Sequence, residues 1–348
     1  MLVPVIASLA VSVGQLAQIP VRGLHIFAPN SSEIEVTTEF IKNALPKEGV
    51  NTLILEIGYG YKFEKRPEIA DEGALGKPEI KRIVAACKEA KIRLIPEINL
   101  LGHQSWAKTT HKLLTAHPGF DETPGKYPNN EGIYCRSYCP SHPEVHQVIF
   151  DLVDELAEVF ESDAVHVGMD EVFVIADKDC KRCKGKTPAE LFAGEVKKLR
   201  DHLKSKNREM WMWGDRFLEG RTTGLGEWEA STNGTDGALA SLPTDIVICD
   251  WHYEKVEPTP ILFAMHGNRV LISPFKDSTV AIGQLDLLRV IQRGANRTLA
   301  SRMQGFLQTS WCGIGDLINA YYGKPGASKE AVDTAQCFKG LFKAIREG

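Results

Sequence analysis

The sequence has no extended run of basic residues and, after its first twenty positions, no long run of apolar ones. Its formal net charge is −4 over 348 residues. Nucleic-acid binding depends on clustered lysine and arginine side chains, so we expect no nucleic-acid partner. A membrane-spanning helix needs about 20 consecutive apolar residues. No later segment approaches that length, so no membrane anchor is evident.

Residues 1–20 also lack charged side chains, and the first basic residue is Arg22. The apolar stretch 2–13 is too short to cross a bilayer as a helix, but it has the length of the apolar region of a signal peptide. We therefore interpret residues 1–18 as a signal peptide, although the basic residues usual at its start are missing. This predicts export to the periplasm or the extracellular space. The alternative is a buried N-terminal segment in a cytoplasmic protein.

The remaining residues, 19–348, contain no proline- or serine-rich linker, no internal repeat and no low-complexity segment, which favours a single domain. Apolar segments alternate with amphipathic ones that have helical spacing, such as 78–90, 142–160 and 188–204. Eight strands are predicted, at 21–27, 52–57, 93–98, 164–167, 210–213, 245–250, 269–272 and 305–309. Eight alternating units predict an α/β fold of the (β/α)₈ TIM-barrel type. An open doubly wound sheet would need an early glycine-rich phosphate turn, which the sequence does not supply.

Polar and aromatic residues cluster where five of the predicted strands end, which is where barrel enzymes build their active sites. Any one of them could be a structural group, but the repetition indicates a functional site. They are Glu97, Asn99 and His103; His166, Asp170 and Glu171; Trp213 and Asp215; Asp250, Trp251, His252 and Tyr253; and Trp311.

Adjacent carboxylates and tryptophans suggest what this site does. Two like charges side by side oppose each other's ionisation, so the pKa of one carboxyl group tends to rise. A raised pKa is what a general acid needs near neutral pH, and Asp170 and Glu171 are such a pair. Tryptophan side chains would add flat apolar walls that suit the C–H faces of a sugar ring. The combination predicts a carbohydrate substrate.

Eight cysteines include two close pairs, Cys135 with Cys139 and Cys180 with Cys183. The two pairs could together form a four-thiolate zinc site. In an exported protein they could instead be disulfides, and they could also be free loop thiols. Sequence spacing does not decide among the three. No histidine and carboxylate set at ligand spacing predicts a catalytic metal.

Residues 166–171 read H-V-G-M-D-E, which resembles the H-x-G-x-D-E motif of glycoside hydrolase family 20, the β-N-acetylhexosaminidases. Residues 96–103, P-E-I-N-L-L-G-H, resemble that family's P-E-I-D-x-x-G-H segment. Residues 22–23 resemble the Arg-Gly of its first strand, and residues 139–144 resemble the start of its helix before strand four. The resemblance extends from about Val21 onward and concerns the family's barrel.

The resemblance implies removal of terminal N-acetylhexosamine by a substrate-assisted retaining mechanism, with no cofactor. Glu171 would be the general acid and base, and Asp170 would orient the substrate's 2-acetamido group. Arg22 would bind sugar hydroxyls at the non-reducing end, and His103 would tune the acid. Trp213, Trp251 and Trp311 would enclose the sugar and its acetamido group. Asp215 would bind substrate or cap the next helix.

The sequence departs from the family pattern around the sugar. Gly313 stands where an acidic residue is usual, Phe275 lies where a tyrosine is expected, and Asn99 replaces an aspartate. Tyr253 is the candidate replacement for that tyrosine. The end of the second strand, residues 56–61, also differs. These departures leave two alternatives open: a glycosidase with altered aminosugar specificity, and a carbohydrate-binding barrel without catalysis.

Overall fold

Eight parallel strands close into a barrel in the computed structural model, which describes residues 19–348. The predicted signal peptide therefore lies outside the described residues. Each strand pairs with the next along the chain, and the last pairs with the first, where Gly305 faces Val21. The strands are β1 (Val21–Phe27), β2 (Thr52–Glu56), β3 (Arg93–Leu100), β4 (Ala164–Gly168), β5 (Glu209–Trp213), β6 (Val247–Trp251), β7 (Arg269–Ser273) and β8 (Met303–Gln308). The predicted (β/α)₈ barrel is confirmed.

Helices surround the barrel and cover the outward face of each strand. They are α1 (Ile34–Asn43), α2 (Leu45–Glu48), α3 (Lys77–Glu89), α4 (Lys112–Ala116), α5 (Val145–Val159), α6 (Pro188–Ser205), α7 (Gly220–Thr223), α8 (Thr259–His266), α9 (Ser278–Gly294), α10 (Arg297–Arg302), α11 (Ile314–Tyr321) and α12 (Lys329–Glu347). Among residues 19–348, no helix is both long enough and apolar enough to cross a membrane.

The start of α6 illustrates how sequence sets an element's boundary. Thr187 accepts a hydrogen bond from the Glu190 amide, and the Glu190 carboxylate accepts one from the Thr187 amide. This reciprocal pair satisfies amide groups that have no partner within the helix. Pro188 follows at the first helical position, where its missing N–H costs nothing. The helix therefore begins where the chain leaves the loop after β4.

Apolar side chains pack on both faces of the strands, because a parallel barrel buries both. One set fills the layer between strands and helices, including Val148, Leu152 and Phe192. A second set fills the barrel interior, including Ile54, Ile95, Leu271 and Leu307. The barrel is therefore a packed core, and the open space lies above it at the carboxyl ends of the strands.

The connection from β3 to α5 is the longest stretch that carries site residues. It includes a small antiparallel ribbon, Ser105–Trp106 with Thr109–Thr110, which the sequence pattern did not predict. Residues 101–144 of this connection and residues 169–187 after β4 both lie at the carboxyl end of the barrel. These two segments form one side of a pocket at the carboxyl ends of the strands.

Candidate active site

A pocket of about 760 Å³ opens at the carboxyl ends of the strands. Side chains from β1 to β6 and from the segment after β8 line it, so the barrel brings together residues that are far apart in sequence. The lining residues are Phe27, Glu56, Ile57, Gly58, Tyr59, Asp71, Asn99, His103, Trp106, His111, Tyr134, Asp170, Glu171, Trp213, Trp251, Tyr253 and Trp311.

Asp170 and Glu171 lie side by side in this pocket, with His103 between their carboxylates. The Nε2 atom of His103 lies 3.3 Å from Asp170 Oδ2 and 3.2 Å from Glu171 Oε2. All three side chains are mostly buried but reach the cavity. The structure therefore brings the predicted pair and its predicted histidine neighbour together in one contact.

The histidine changes the electrostatics expected for two adjacent carboxylates. Burial by itself lowers the pKa of His103, but the charge of Asp170 and hydrogen bonds to both carboxylates outweigh it and raise the pKa well above its usual value. Burial would raise the pKa of Asp170, but the His103 cation and the Asn99 amide hold it below its usual value. Asp170 is therefore ionised at neutral pH.

Asn99 and Gly168 set the position of Asp170. The side-chain Nδ2 of Asn99 donates to Asp170 Oδ1 at 3.1 Å. The side-chain Oδ1 of Asn99 accepts from the Met169 backbone N–H at 3.2 Å. Gly168, Met169 and Glu171 all have positive φ angles, of 64°, 68° and 48°. This strained turn aims successive side chains into the pocket, and such strain is common at functional sites.

Replacing Gly168 by alanine should destabilise the protein by about 2–4 kcal/mol. A Cβ atom there would lie 2.2 Å from Asn99 Oδ1 and 2.8 Å from Asn99 Cα, and the backbone cannot move aside. Gly194, within α6, is the matched control, because a Cβ there meets no atom within 4 Å. Urea unfolding should show Gly194→Ala to be neutral or stabilising by up to about 1 kcal/mol. Equal stability of the two variants would contradict the steric account of Gly168.

Asp215 is buried beneath the pair and does not line the pocket. Its Oδ2 accepts from the Glu171 amide at 3.0 Å and from Arg216 Nε at 2.6 Å. Burial raises the pKa of Asp215 to about 6; the Arg216 cation opposes this rise and the Asp170 charge adds to it. The expectation that Asp215 binds substrate or caps a helix is corrected: it holds the Glu171 backbone.

Trp213, Trp251 and Trp311 line the pocket as the sequence predicted. Trp213 lies at the floor, 1% exposed, with its ring centroid 6.0 Å from that of Trp311. The indole N–H of Trp311 donates to the Tyr253 hydroxyl at 2.9 Å. Phe275 packs behind Tyr253, with ring centroids 5.3 Å apart. Tyr253 therefore faces the cavity, whereas Phe275 supports it.

A buried ionic network, which the sequence pattern did not predict, lies under this floor. Glu97 Oε2 lies 3.0 Å from His25 Nε2, and Glu97 Oε1 lies 3.2 Å from His166 Nδ1. Glu97 Oε1 also accepts from the Trp213 indole at 3.1 Å. Glu56, which lines the pocket, lies 3.3 Å from His25. The network fixes the orientation of Trp213.

The His25 cation supplies positive charge to these buried carboxylates. Burial lowers the pKa of His25, but Glu97 and Glu56 raise it to about 10 overall. Burial would raise the pKa of Glu97, yet His166 and His25 hold it well below its usual range. In each of the groups His25–Glu56–Glu97 and His103–Asp170–Glu171, the potential ligand atoms lie within 4.8 Å of one another, close enough to bind a metal ion. In both, the histidine makes direct contacts with the carboxylates and supplies the positive charge.

Arg22 lies away from the pocket, and its predicted role is corrected. It is the second residue of β1, so it belongs to the amino end of the barrel. Its guanidinium donates to the carbonyl oxygens of Gly49 and Ile19, at 2.7 and 2.8 Å. The bond to Gly49 joins β1 to the segment before β2, and the bond to Ile19 holds the residues that lead into β1. Arg22 therefore has a structural contact at the end of the barrel opposite to the cavity.

Loop residues complete the pocket wall, and Tyr134, Trp106 and Asp71 among them were not predicted from the sequence. Tyr134 packs edge-to-face on Trp106 and Trp228, with centroids 5.4 and 5.0 Å apart. Trp106 and Trp228 are 56% and 49% exposed, so they form an aromatic rim. Asp71 adds a polar side chain from the β2 loop. Gly313 is exposed at the start of α11 and does not line the cavity.

Similarity to characterised proteins agrees with this geometry. A sequence model of the glycosyl hydrolase family 20 catalytic domain matches residues 54–282. A β-hexosaminidase of Akkermansia muciniphila is 33% identical over 119 residues, which are 33% of this chain and 23% of that protein. A β-hexosaminidase of Vibrio furnissii is 24% identical over 276 residues, which are 78% of this chain and 38% of that protein. The chain thus spans less than half the length of either relative.

Solved structures show the same barrel. The chitobiase of Flavobacterium johnsoniae superposes with a TM-score of 0.63 at 18% identity, over 94% of this chain and 52% of that one. At such low identity the likeness bears on the fold alone. The sequence match to the catalytic domain covers well over half of the chain. The chain therefore belongs to glycosyl hydrolase family 20, a family of glycoside hydrolases.

Proposed function

We propose that this protein removes terminal N-acetylhexosamine residues, N-acetylglucosamine or N-acetylgalactosamine, from glycans by substrate-assisted retaining catalysis. The observation that carries the proposal is the contact of His103 with both Asp170 and Glu171 in a pocket walled by tryptophans. The β-hexosaminidases among its relatives act on sugars of the kind that such a pocket suits. The chemistry needs no metal or organic cofactor.

In the first step the carbonyl oxygen of the substrate's 2-acetamido group attacks the anomeric carbon. The glycosidic bond breaks, and Glu171 gives its proton to the leaving oxygen. Asp170, held ionised by His103 and Asn99, accepts the acetamido N–H and stabilises the positive charge that develops on the oxazolinium ring. A protein carboxylate near the anomeric carbon is not needed as nucleophile.

In the second step water opens the oxazolinium ring at the anomeric carbon. Glu171, now a carboxylate, takes the proton from that water and returns to its starting state. Two displacements at one carbon retain the configuration. The Asp215 carboxylate keeps the Glu171 backbone in place through both steps, because it accepts the Glu171 N–H at 3.0 Å.

The tryptophan walls place the acetamido group near Asp170. Trp213, Trp251 and Trp311 line the cavity together with Tyr253, whose hydroxyl accepts from the Trp311 indole N–H. We propose that Tyr253 takes the place of the tyrosine expected at Phe275 and donates to the acetamido oxygen. Such pre-positioning of the attacking oxygen provides much of the rate gain in intramolecular reactions.

Altered aminosugar specificity is the second candidate, and a specific observation favours it. Neither Arg22 nor Gly313 reaches the pocket, so the sugar hydroxyls lack the arginine and acidic partners that the family resemblance implied. Glu56 and Asp71 are the polar side chains that replace them along the β2 side. The hydroxyl pattern accepted by this site should therefore depend on Glu56 and Asp71.

Hydrolysis of a chromogenic N-acetyl-β-glucosaminide and of its galacto epimer by the purified protein tests the proposal. We expect turnover of at least one of them, with retention of configuration when the first product is examined by NMR. Turnover confined to a more elaborate aminosugar from a wider panel would support the second candidate. Binding of these sugars without any turnover would contradict catalysis and favour a carbohydrate-binding barrel.

Removing the charge of His103 should move the acidic limb of the pH profile of kcat/KM toward neutral pH. Asp170 must be ionised to accept the acetamido N–H, and His103 lowers the pKa of Asp170. In His103→Asn the pKa of Asp170 rises, so Asp170 becomes protonated at a higher pH. The decrease of kcat/KM on the acidic side therefore begins at a higher pH than in the unaltered protein. His266→Asn, at the end of α8, is the control. An unchanged acidic limb in His103→Asn would contradict this role.

A further inference from the structure

We propose that Glu122, Cys139, Cys180 and Cys183 form a structural zinc site that ties the loop after β3 to the loop after β4. The four side chains are buried, and one potential ligand atom from each lies within 4.8 Å of the others. This site is separate from the carboxylate pair and does not depend on the proposed sugar substrate.

The spacing of the ligand atoms fits a tetrahedral ion. Cys139 Sγ lies 3.6 Å from Cys180 Sγ and 3.5 Å from Cys183 Sγ, and Cys183 Sγ lies 3.3 Å from Glu122 Oε2. Zinc–sulfur bonds of about 2.3 Å at tetrahedral angles place sulfurs about 3.8 Å apart, and a carboxylate oxygen lies somewhat closer. The cluster is therefore near the size that zinc requires before any adjustment.

The Glu122 carboxylate points to a cation. Glu122 is fully buried, and no lysine, arginine or histidine among residues 19–348 forms a salt bridge with it. An isolated buried carboxylate is costly. Its Oε1 accepts from the Asp177 amide at 3.1 Å, which leaves Oε2 facing Cys183. A disulfide between two of the cysteines would be neutral and would give this carboxylate no cation in direct contact.

Neighbouring groups support a thiolate site. The Arg182 guanidinium donates to Cys139 Sγ at 3.3 Å and to the carbonyl oxygens of Gly119 and Asp121. Donors around the sulfur ligands are a common feature of metal sites, because they orient the ligand and offset its charge. The Cys183 amide donates to the Cys180 carbonyl, so Cys-x-x-Cys forms a turn that directs both sulfurs inward.

The site would fix the active-site loops without taking part in catalysis. Binding of zinc releases the three thiol protons to solvent and fills all four positions with protein ligands, so no position remains for water. The loop after β3 also carries His103, and the loop after β4 carries Asp170 and Glu171 near its start. Cys135 is not part of the cluster; its sulfur lies 3.6 Å from the Glu171 carbonyl oxygen. The four-cysteine site considered from the sequence is thereby replaced by three cysteines and a glutamate.

Metal analysis of the full-length protein, expressed with zinc and purified without chelator, tests the proposal. We expect about one zinc per chain by mass spectrometry. Cys183→Ser should lose the metal, and Cys135→Ser, at a cysteine outside the cluster in the loop after β3, should retain it. Thiol titration of the unfolded protein under chelator should find all of its cysteines reduced.

A second measurement on the unaltered protein covers the case in which Cys183→Ser does not fold. Replacement of zinc by Co²⁺ should give thiolate-to-metal charge-transfer bands and the visible spectrum of a tetrahedral ion, and a mercurial that blocks thiols should release the metal. Less than one tenth of a zinc per chain together with an oxidised cysteine pair would overturn the proposal in favour of a disulfide. Absence of both metal and oxidised cysteines would overturn it in favour of plain buried thiols.

Discussion

Glu171→Gln should lower kcat/KM by about 10²–10⁴-fold, because general acid–base catalysis contributes that much. Glutamine keeps the size of the side chain and its contact with His103 but has no proton to give to the leaving oxygen. The loss should be greatest with a disaccharide. An aryl glycoside, whose leaving group needs less protonation, should lose less in its first step.

The control for this variant is Glu158→Gln, an exposed position on α5. It should retain activity and stability. Binding of a non-hydrolysable aminosugar should survive in Glu171→Gln, since the tryptophan walls are intact. Full activity of Glu171→Gln on a disaccharide would place the acid elsewhere and would contradict the assigned roles.

Asp170→Asn should lower kcat by about 10²–10³-fold, the range found when one group that stabilises developing charge is removed. Asparagine has no negative charge to stabilise the oxazolinium ring. Its side-chain NH₂ group can also face the acetamido N–H, and an NH₂ group cannot accept that hydrogen bond. The effect should appear mainly in kcat, because the charge develops in the transition state.

Asp163→Asn is the matched control for Asp170→Asn. Asp163 lies just before β4, at the opposite end of the same strand, and is exposed in an ion pair with Arg93. It should leave kcat unchanged. A loss in Asp170→Asn confined to KM would show that Asp170 only binds the ground state, against the proposed mechanism.

The barrel could be predicted from sequence because its strands are short apolar runs separated by amphipathic helices. All eight predicted strands are present, with ends displaced by a few residues at most. Helix starts also follow local signals, such as the Thr187 cap and Pro188 of α6. These signals depend on neighbours in the chain, so they are visible without tertiary structure.

The sequence predicted which residues lie at the carboxyl ends of the strands. It did not predict the direction in which each of their side chains points. Asp170, Glu171 and the three tryptophans line the cavity as expected, but their catalytic roles remain predictions. Arg22 was misplaced because the Arg-Gly resemblance outweighed its position at the amino end of β1. Asp215 follows β5, yet its turn directs the carboxylate under Glu171.

Side chains that meet across strands could not be paired from sequence. Glu97 contacts His25 and His166 from two other strands, and only the closed barrel brings them together. Each of these polar residues interrupts an apolar strand. Because a buried polar group needs a partner, this pattern indicates a polar partner inside the barrel. Tyr134 and Trp106 lie in the long connection after β3, whose path no local pattern specifies.

The cysteines show the same limit. Cys139 joins Cys180 and Cys183, while Cys135, four residues away in sequence, points toward Glu171. The missing member of the cluster is Glu122, which no cysteine pattern would indicate. Cys180 and Cys183, which are a pair by sequence spacing, lie together in the cluster, but only the fold shows that Cys139 and Glu122 lie beside them.

The mechanism proposed for this protein makes the substrate's own acetamido group the nucleophile. The most direct test compares hydrolysis of a para-nitrophenyl N-acetyl-β-glucosaminide, or of its galacto epimer if that is preferred, with the analogue that carries a hydroxyl in place of the acetamido group. We expect the acetamido sugar to be cleaved at least about 10³-fold faster, because an attached nucleophile has a high effective concentration. Comparable rates for the two sugars would contradict substrate-assisted catalysis.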